Sequence, residues 1–263
     1  MNHVDAVRWD QVAGHFQSIF RMGINEYNAS LLRFWAEEGM LFPGARVIDI
    51  GCGVGKYGTW FAELGCDVTL TDISSEMLRY ASENMAKYET PWTTYQCDFR
   101  EITGDESVFL KKYDLAVSTM SPAVNDVETV RKMSVMTSGW CFLSRFFSWS
   151  QPFRDLLVTE LGLKPRQMHR DLEEDCSQLI SNVKDAEYRP NVRYVNYDWE
   201  DHRTSEQMAD YLLANYFDES EQDRYSKKLL RLAEKHADVN GLVTDAVNTQ
   251  VAWISWKTDH PKY

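Results

Sequence analysis

Cysteine and proline are scarce in this chain of 263 residues, at 5 and 7. The cysteines, at positions 52, 66, 97, 141 and 176, form no C-x-x-C pair and no metal spacing. A disulfide framework is therefore not the organising principle. The pattern fits buried, reduced thiols in a cytoplasmic protein. No run of about 18 apolar residues exists, so no transmembrane helix and no membrane partner are expected. Residues 1–20 are mixed in polarity and carry Asp5 and Asp10, unlike a secretory leader. Basic residues are in deficit, 28 Lys and Arg against 40 Asp and Glu, for a formal charge of −12. Such a surface repels phosphate backbones; it argues against DNA or RNA and tilts toward small or cationic partners. The 6 histidines (His3, His15, His169, His202, His236, His260) include no H-x-x-x-H pair, and no metal site is expected. His15 and His202 lie in segments able to overhang a pocket, although lone histidines are more often surface or core residues.

What is present is an alternation of strand and helix. The hydrophobic fraction, 44%, is ordinary for a globular protein. Helical spacing marks Val4–Phe20 and Asn25–Glu38, and Pro43-Gly44 ends this N-terminal cap. Strands are expected at Arg46–Ile50, Asp67–Thr71, about Thr93–Cys97, Tyr113–Ser118 and Trp140–Phe147. Helices are expected at Lys56–Leu64, Ser75–Lys87 with Ser74 as N-cap, and Val127–Thr137. This order implies a doubly wound, Rossmann-like parallel sheet. The last third reads less regularly: helices at Phe153–Leu161, Leu172–Ala186, Thr204–Phe217 and Gln222–His236, a strand at Val192–Trp199, and a hairpin of Gly241–Val247 and Thr249–Trp256 about Asn248. The chain thus reads as one domain over 1–263, with a cap (1–43), a core (44–150) and a C-terminal half (151–263) holding a helical insertion at about 204–238.

Three strand ends carry the chemistry. Val47-Ile48-Asp49-Ile50-Gly51-Cys52-Gly53-Val54-Gly55 is an apolar strand, a carboxylate, glycines at alternating positions and a helix start. Glycine lets the backbone turn sharply and approach a ligand, and the helix start offers free N–H groups. Val68-Thr69-Leu70-Thr71 ends in Asp72, a carboxylate able to accept both hydroxyls of a ribose. Tyr95-Gln96-Cys97-Asp98-Phe99 repeats the arrangement. One nucleoside ligand across the carboxyl edge of a parallel sheet satisfies all three. Gly53-Val54-Gly55-Lys56-Tyr57-Gly58 also fits a dinucleotide-binding loop. Against that reading, Asp49 would repel a pyrophosphate and welcome an ammonium group.

Asp-x-Gly-x-Gly-x-Gly, then Thr71-Asp72-Ile73-Ser74-Ser75-Glu76-Met77-Leu78, then Cys97-Asp98-Phe99, resembles the class I S-adenosylmethionine-dependent methyltransferases over about Arg46–Phe147. The resemblance implies a seven-stranded, mostly parallel sheet with an antiparallel last strand at Thr249–Lys257. It implies S-adenosyl-L-methionine as cofactor and S-adenosyl-L-homocysteine as product. Asp49, Gly51, Cys52 and Gly53 would line its amino-acid end, Asp72 its ribose, and Ile73, Met77, Asp98 and Phe99 its adenine. The loop Ser118-Thr119-Met120-Ser121-Pro122-Ala123-Val124-Asn125 would border the transferring methyl. It lacks the Asn/Asp-Pro-Pro-Tyr/Phe pattern of enzymes that methylate exocyclic base nitrogens. Ser118 is expected at the cofactor, and Met120, Ala123 and Tyr27 at a small-molecule acceptor. Most of the aromatic set Trp9, Phe16, Tyr27, Trp35, Trp199, Tyr211 and Tyr216 is expected in the core, with two or three members lining that acceptor pocket. The N-terminal helices and the insertion would cover the site. No residue is singled out as a catalytic base, and the sequence leaves the oligomeric state open. A regulatory subunit without transfer activity and a protein methyltransferase are the alternatives.

Overall fold

The computed structural model describes residues 3–21, 23, 25–102, 113–162 and 171–259, with side chains except at 3–5 and 219. His169 and His260 lie outside the described residues. The chain divides into two compact units. The first comprises Met1–Arg145, Cys176–Tyr194 and Ala252–Tyr263, and the second Phe146–Asp175 and Val195–Val251.

The first unit is built on parallel strands β1 (Arg46–Ile50), β2 (Asp67–Asp72), β3 (Trp92–Gln96), β4 (Tyr113–Thr119) and the start of β5 (Thr137–Ser150). They lie in the order β3-β2-β1-β4-β5. Val47, Ile48, Ile50, Val68, Leu70, Leu115, Ala116 and Val117 are all buried. Strands apolar on both faces need cover on both faces, and helices supply it. These are α1 (His3–Phe20), α2 (Glu26–Glu37), α3 (Lys56–Glu63), α4 (Ser75–Met85), α5 (Val127–Val135) and α7 (Leu172–Asp185); α6 follows below. Ser74 accepts from the Met77 N–H and caps α4, while Asp126 and Thr129 form a reciprocal capping box on α5. Register sets the functional edge: Asp49 lies beside Leu70 and Val117, Asp72 beside Gln96, and Thr119 beside Ser144.

The second unit has its own core of Phe153, Leu157, Met208, Leu212, Leu229, Leu232 and Val243. It holds α6 (Pro152–Thr159), β7 (Trp199–Thr204), α8 (Ser205–Tyr216), α9 (Glu219–Lys235) and the first part of β8 (Leu242–Lys257). Thr204 caps α8 through a capping box with Gln207. A buried polar network runs from Tyr216 Oη to Gln151 Oε1 (3.0 Å), and from Gln151 Nε2 to both Asp245 oxygens (3.0 and 2.8 Å).

The expected hairpin about Asn248 is corrected: Leu242–Lys257 is one continuous strand. Asn248 keeps an ordinary negative φ and simply takes an outward position in the alternation of Val243, Asp245, Val247 and Thr249, whose side chains are buried. The partner expected across the hairpin is instead β7, antiparallel, with Trp199 opposite Val247 and Thr204 opposite Leu242. The single strand expected at Val192–Trp199 is two, β6 (Asn191–Asn196) and β7. Among the described residues the sheet therefore has eight strands, one more than expected, in the order β3-β2-β1-β4-β5-β8-β6 with β7 on β8; the last strand is antiparallel as anticipated.

Candidate functional site

The loop after β1 closes on β2. The N–H groups of Gly51 and Cys52 both donate to Thr71 O, at 2.8 and 2.9 Å, and Gly53 N–H donates to Asp72 Oδ2 at 2.9 Å. Gly51 and Gly53 stand in the left-handed region, with φ of 72° and 55°. A Cβ on Gly51 would fall 1.9 Å from Ser121 Oγ, whereas one on Gly55 would meet Ala81 Cβ of α4 at 3.0 Å. Gly51 is thus required by the loop after β4, and Gly55 by helix packing.

Asp49 is completely buried, and among the described residues neither carboxylate oxygen has a hydrogen-bond partner. Burial first, and the nearby Asp72 carboxylate second, push its acid dissociation up to about 8. Asp72 differs: Oδ1 accepts from Ser74 N–H at 2.9 Å and Oδ2 from Gly53 N–H, so it organises two turns at once. Burial raises its pKa, and these backbone donors oppose the rise. Cys52 is buried, its thiol pointing to Gly53 O at 3.4 Å and pushed well above the ordinary thiol range by burial and both aspartates.

At the end of β3, Cys97 N–H donates to Asp72 O at 3.0 Å. Asp98 caps the following turn by accepting from Arg100 N–H (3.1 Å) and is gripped by Arg100 Nε (2.8 Å) and Nη2 (2.7 Å). Phe99 is buried. Met77 is buried against Ala13 and Val54, so core packing accounts for its contacts, and Ile73 is half-buried.

Ser118 is buried and donates to Ile50 O at 2.9 Å, binding β4 to the end of β1. Met120 is held at φ 51°, in the left-handed region, with its N–H on Ser144 O at 3.1 Å. A non-glycine residue there is strained and needs surrounding structure to hold it. Ala123 is half-buried, and its Cβ would lie 3.4 Å from a Cβ on Gly51. The expected residues of β1, β2, β3 and β4 are thus gathered at one sheet edge. Tyr27 stands apart from these contacts: it is buried in an edge-to-face pair with Trp253, whose indole donates to its hydroxyl at 3.1 Å.

Several participants had no distinctive sequence signal. Asp10 of α1 accepts from Ser74 Oγ (2.6 Å) and Glu76 N–H (3.1 Å). Gln17 and Asn84 exchange amide hydrogen bonds at 2.9 Å, and Asn84 also donates to Val54 O. α1 therefore rests on the glycine loop and on the start of α4. Its contributors are scattered singly along a helical pattern. Asp10 reads as one more surface acid until α4 lies beside it.

A methyltransferase-domain family model matches residues 47–136. The ubiquinone biosynthesis O-methyltransferase of Albidiferax ferrireducens is 31% identical over 208 residues, spanning 72% of this chain and 79% of that protein. The chain belongs to the S-adenosylmethionine-dependent methyltransferases. A shorter stretch is 37% identical to YqeM of Bacillus subtilis, named as a methyltransferase, over 28% of this chain and 30% of that one. A solved structure from Bacillus halodurans, also named as a methyltransferase, is similar in fold with a TM-score of 0.52 at 13% identity, covering 88% of this chain and 97% of that one. The methyltransferase's cofactor is S-adenosylmethionine and its product S-adenosylhomocysteine. The chain's own residues fit that group: glycines leave room beside the strand ends, and among the described residues the buried Asp49 carboxyl group has no hydrogen-bond partner, so a cofactor ammonium group would meet it. Family membership also removes the dinucleotide-binding reading of the glycine loop.

Proposed function

We propose that this methyltransferase acts on a small-molecule acceptor and holds its cofactor along the carboxyl edge of β1, β2 and β3. The unpartnered buried carboxylate of Asp49 carries this reading, because a cofactor ammonium group supplies the charge it lacks. Asp72 takes the ribose hydroxyls while its other lone pairs keep the two turns. Ile73, Met77 and Phe99 provide the apolar surround of the base. Asp98 contributes less than the sequence suggests, since Arg100 occupies both its oxygens.

S-adenosylmethionine supplies an activated sulfonium methyl when bound. The protein's part is to align a nucleophile with it and to exclude water. Met120 and Ala123, fixed by β5 and by the glycine loop, form one wall for the acceptor. Among the described residues, no group of three or more His, Cys, Asp or Glu side chains suits a metal ion. The relative named for O-methyl transfer in ubiquinone biosynthesis supports a small acceptor, as does the charge of −12.

The deciding experiment is a turnover screen of fractionated metabolites with methyl-labelled S-adenosylmethionine. Label in a small organic product is the expected result. Label only in intact protein or nucleic acid would overturn the acceptor class. Cofactor binding with no transfer to any fraction would favour the regulatory-subunit reading. Wild-type cofactor affinity in folded Asp72→Ala would remove that residue from the site.

A further inference from the structure

Arg145 ends the first of the three segments that make up the first unit and follows Ser144 on β5. Ser144 lies beside Thr119, and its carbonyl receives the Met120 N–H, so Arg145 adjoins the loop after β4. Its guanidinium is turned inward. Nη1 donates to Ser144 O at 2.8 Å, and Nη2 to Val124 O at 2.7 Å. Both acceptors are neutral backbone carbonyls.

Among the described residues no aspartate or glutamate pairs with Arg145. By contrast, Arg46 pairs with Asp114, Arg79 with Glu76 and Glu83, Arg100 with Asp98, and Arg203 with Asp201 and Asp245. The ionisable group that bears on it is the Cys176 thiol, which burial pushes up to about 11 and so keeps neutral. Burial pulls Arg145 itself down to about 10, still charged at neutral pH. In a chain with 40 acidic side chains, an inward cation whose partners among the described residues are carbonyl dipoles is conspicuous. Desolvating a charge is costly unless a counter-charge completes it. A guanidinium has five donors in a planar fork, of which two are used here, and that fork matches an oxyanion.

We propose that Arg145 anchors an oxyanion of the methyl acceptor, so that the acceptor is an organic acid bearing a carboxylate or a phosphate. The inference rests on the small-molecule methyltransferase reading. It narrows that reading and reverses the tilt toward cationic acceptors that net charge alone suggests. Arg145 also ties Val124 and Ser144 together, so it shapes the wall that Met120 and Ala123 present. Capture of the acid and order in that loop therefore depend on one side chain.

The test uses the full chain loaded with S-adenosylhomocysteine. Acetate, methyl phosphate and acetamide are the probes, followed by saturation-transfer NMR and thermal shift. The wild type should bind acetate or methyl phosphate saturably and at least about tenfold more tightly than acetamide; which anion wins tells carboxylate from phosphate. Arg145→Gln should abolish that preference while S-adenosylhomocysteine affinity stays within about twofold. Should the glutamine variant fail to fold, Arg145→Lys should weaken the preferred anion about tenfold, because a point charge loses the fork. No anion preference in the wild type overturns the proposal, as does a preference that survives in the variants. In the metabolite screen, acceptor activity is expected in the fraction retained by an anion exchanger. Activity confined to the unretained fraction also overturns it. Failure of S-adenosylhomocysteine to bind the wild type would instead strike the methyltransferase reading beneath.

Discussion

Asp49 holds a proton to about pH 8 in the folded chain, against about 3.9 for an unfolded aspartate. Between those values the native state carries a proton that the unfolded state has released. Stability without cofactor should therefore fall as pH rises from about 4 through about 8. An ammonium group beside Asp49 favours the ionised form. Cofactor affinity should then weaken below pH 8, by up to about tenfold per unit, with proton release on binding. Calorimetry in buffers of different ionisation enthalpy measures both, and Asp49→Asn should flatten both; an unchanged profile in that variant would discard the role. Gly51 offers a second test. Gly51→Ala places a Cβ against Ser121 Oγ and forces alanine to a φ of 72°, so cofactor affinity and stability should both drop. Ser121→Gly in the same chain should restore part of the loss, since it removes the clash and leaves the backbone strain. Losses that simply add would deny the contact. The aspartates and glycines were legible from spacing alone. That Asp49 has no partner and that Ser121 lies beneath Gly51 were not, because both depend on loops brought together from distant positions.

At the scale of elements, α1 joins the cofactor edge through Asp10. Its carboxylate caps α4 from outside, adding to the cap that Ser74 provides. Losing such a cap costs roughly 1 kcal/mol. Asp10→Ala should raise amide exchange in α1 and in the first turn of α4. Cofactor should slow exchange in α1 of the wild type as well as in residues 46–120. A response confined to 46–120 would remove α1 from the site. Both N-terminal helices, β1 to β4 and the Ser74 cap were legible because apolar period and cap residues are local signals. The β6–β8 region was misread for the opposite reason. Trp199-Glu200-Asp201-His202-Arg203-Thr204 has little apolar alternation and becomes a strand by pairing with β8. Asn248 resembles a turn residue until that pairing straightens the chain through it.

Across the whole molecule, charge governs which partners approach. The formal −12 should keep the protein from binding duplex RNA or DNA at physiological salt. A mobility-shift titration showing retention at low micromolar protein would contradict this and reopen nucleic acid as acceptor. The two units have separate buried cores. The second contains the Gln151–Asp245–Tyr216 network, and burial raises the pKa of Asp245 while the Gln151 amide opposes the rise.

Local pattern by itself determined the alternating α/β class, the glycine loop and the strand-end acids, and the resemblance that these motifs carry implied the cofactor. Each is written in contiguous residues whose periodicity and backbone demands survive without context. Tertiary structure decided which of those acids is satisfied, which backbone carbonyls Arg145 meets, where α1 rests and how the last strands pair. Those properties belong to pairs of groups distant in sequence. Their energies turn on burial and on which neighbour arrives, and neither is encoded in the spacing of one segment.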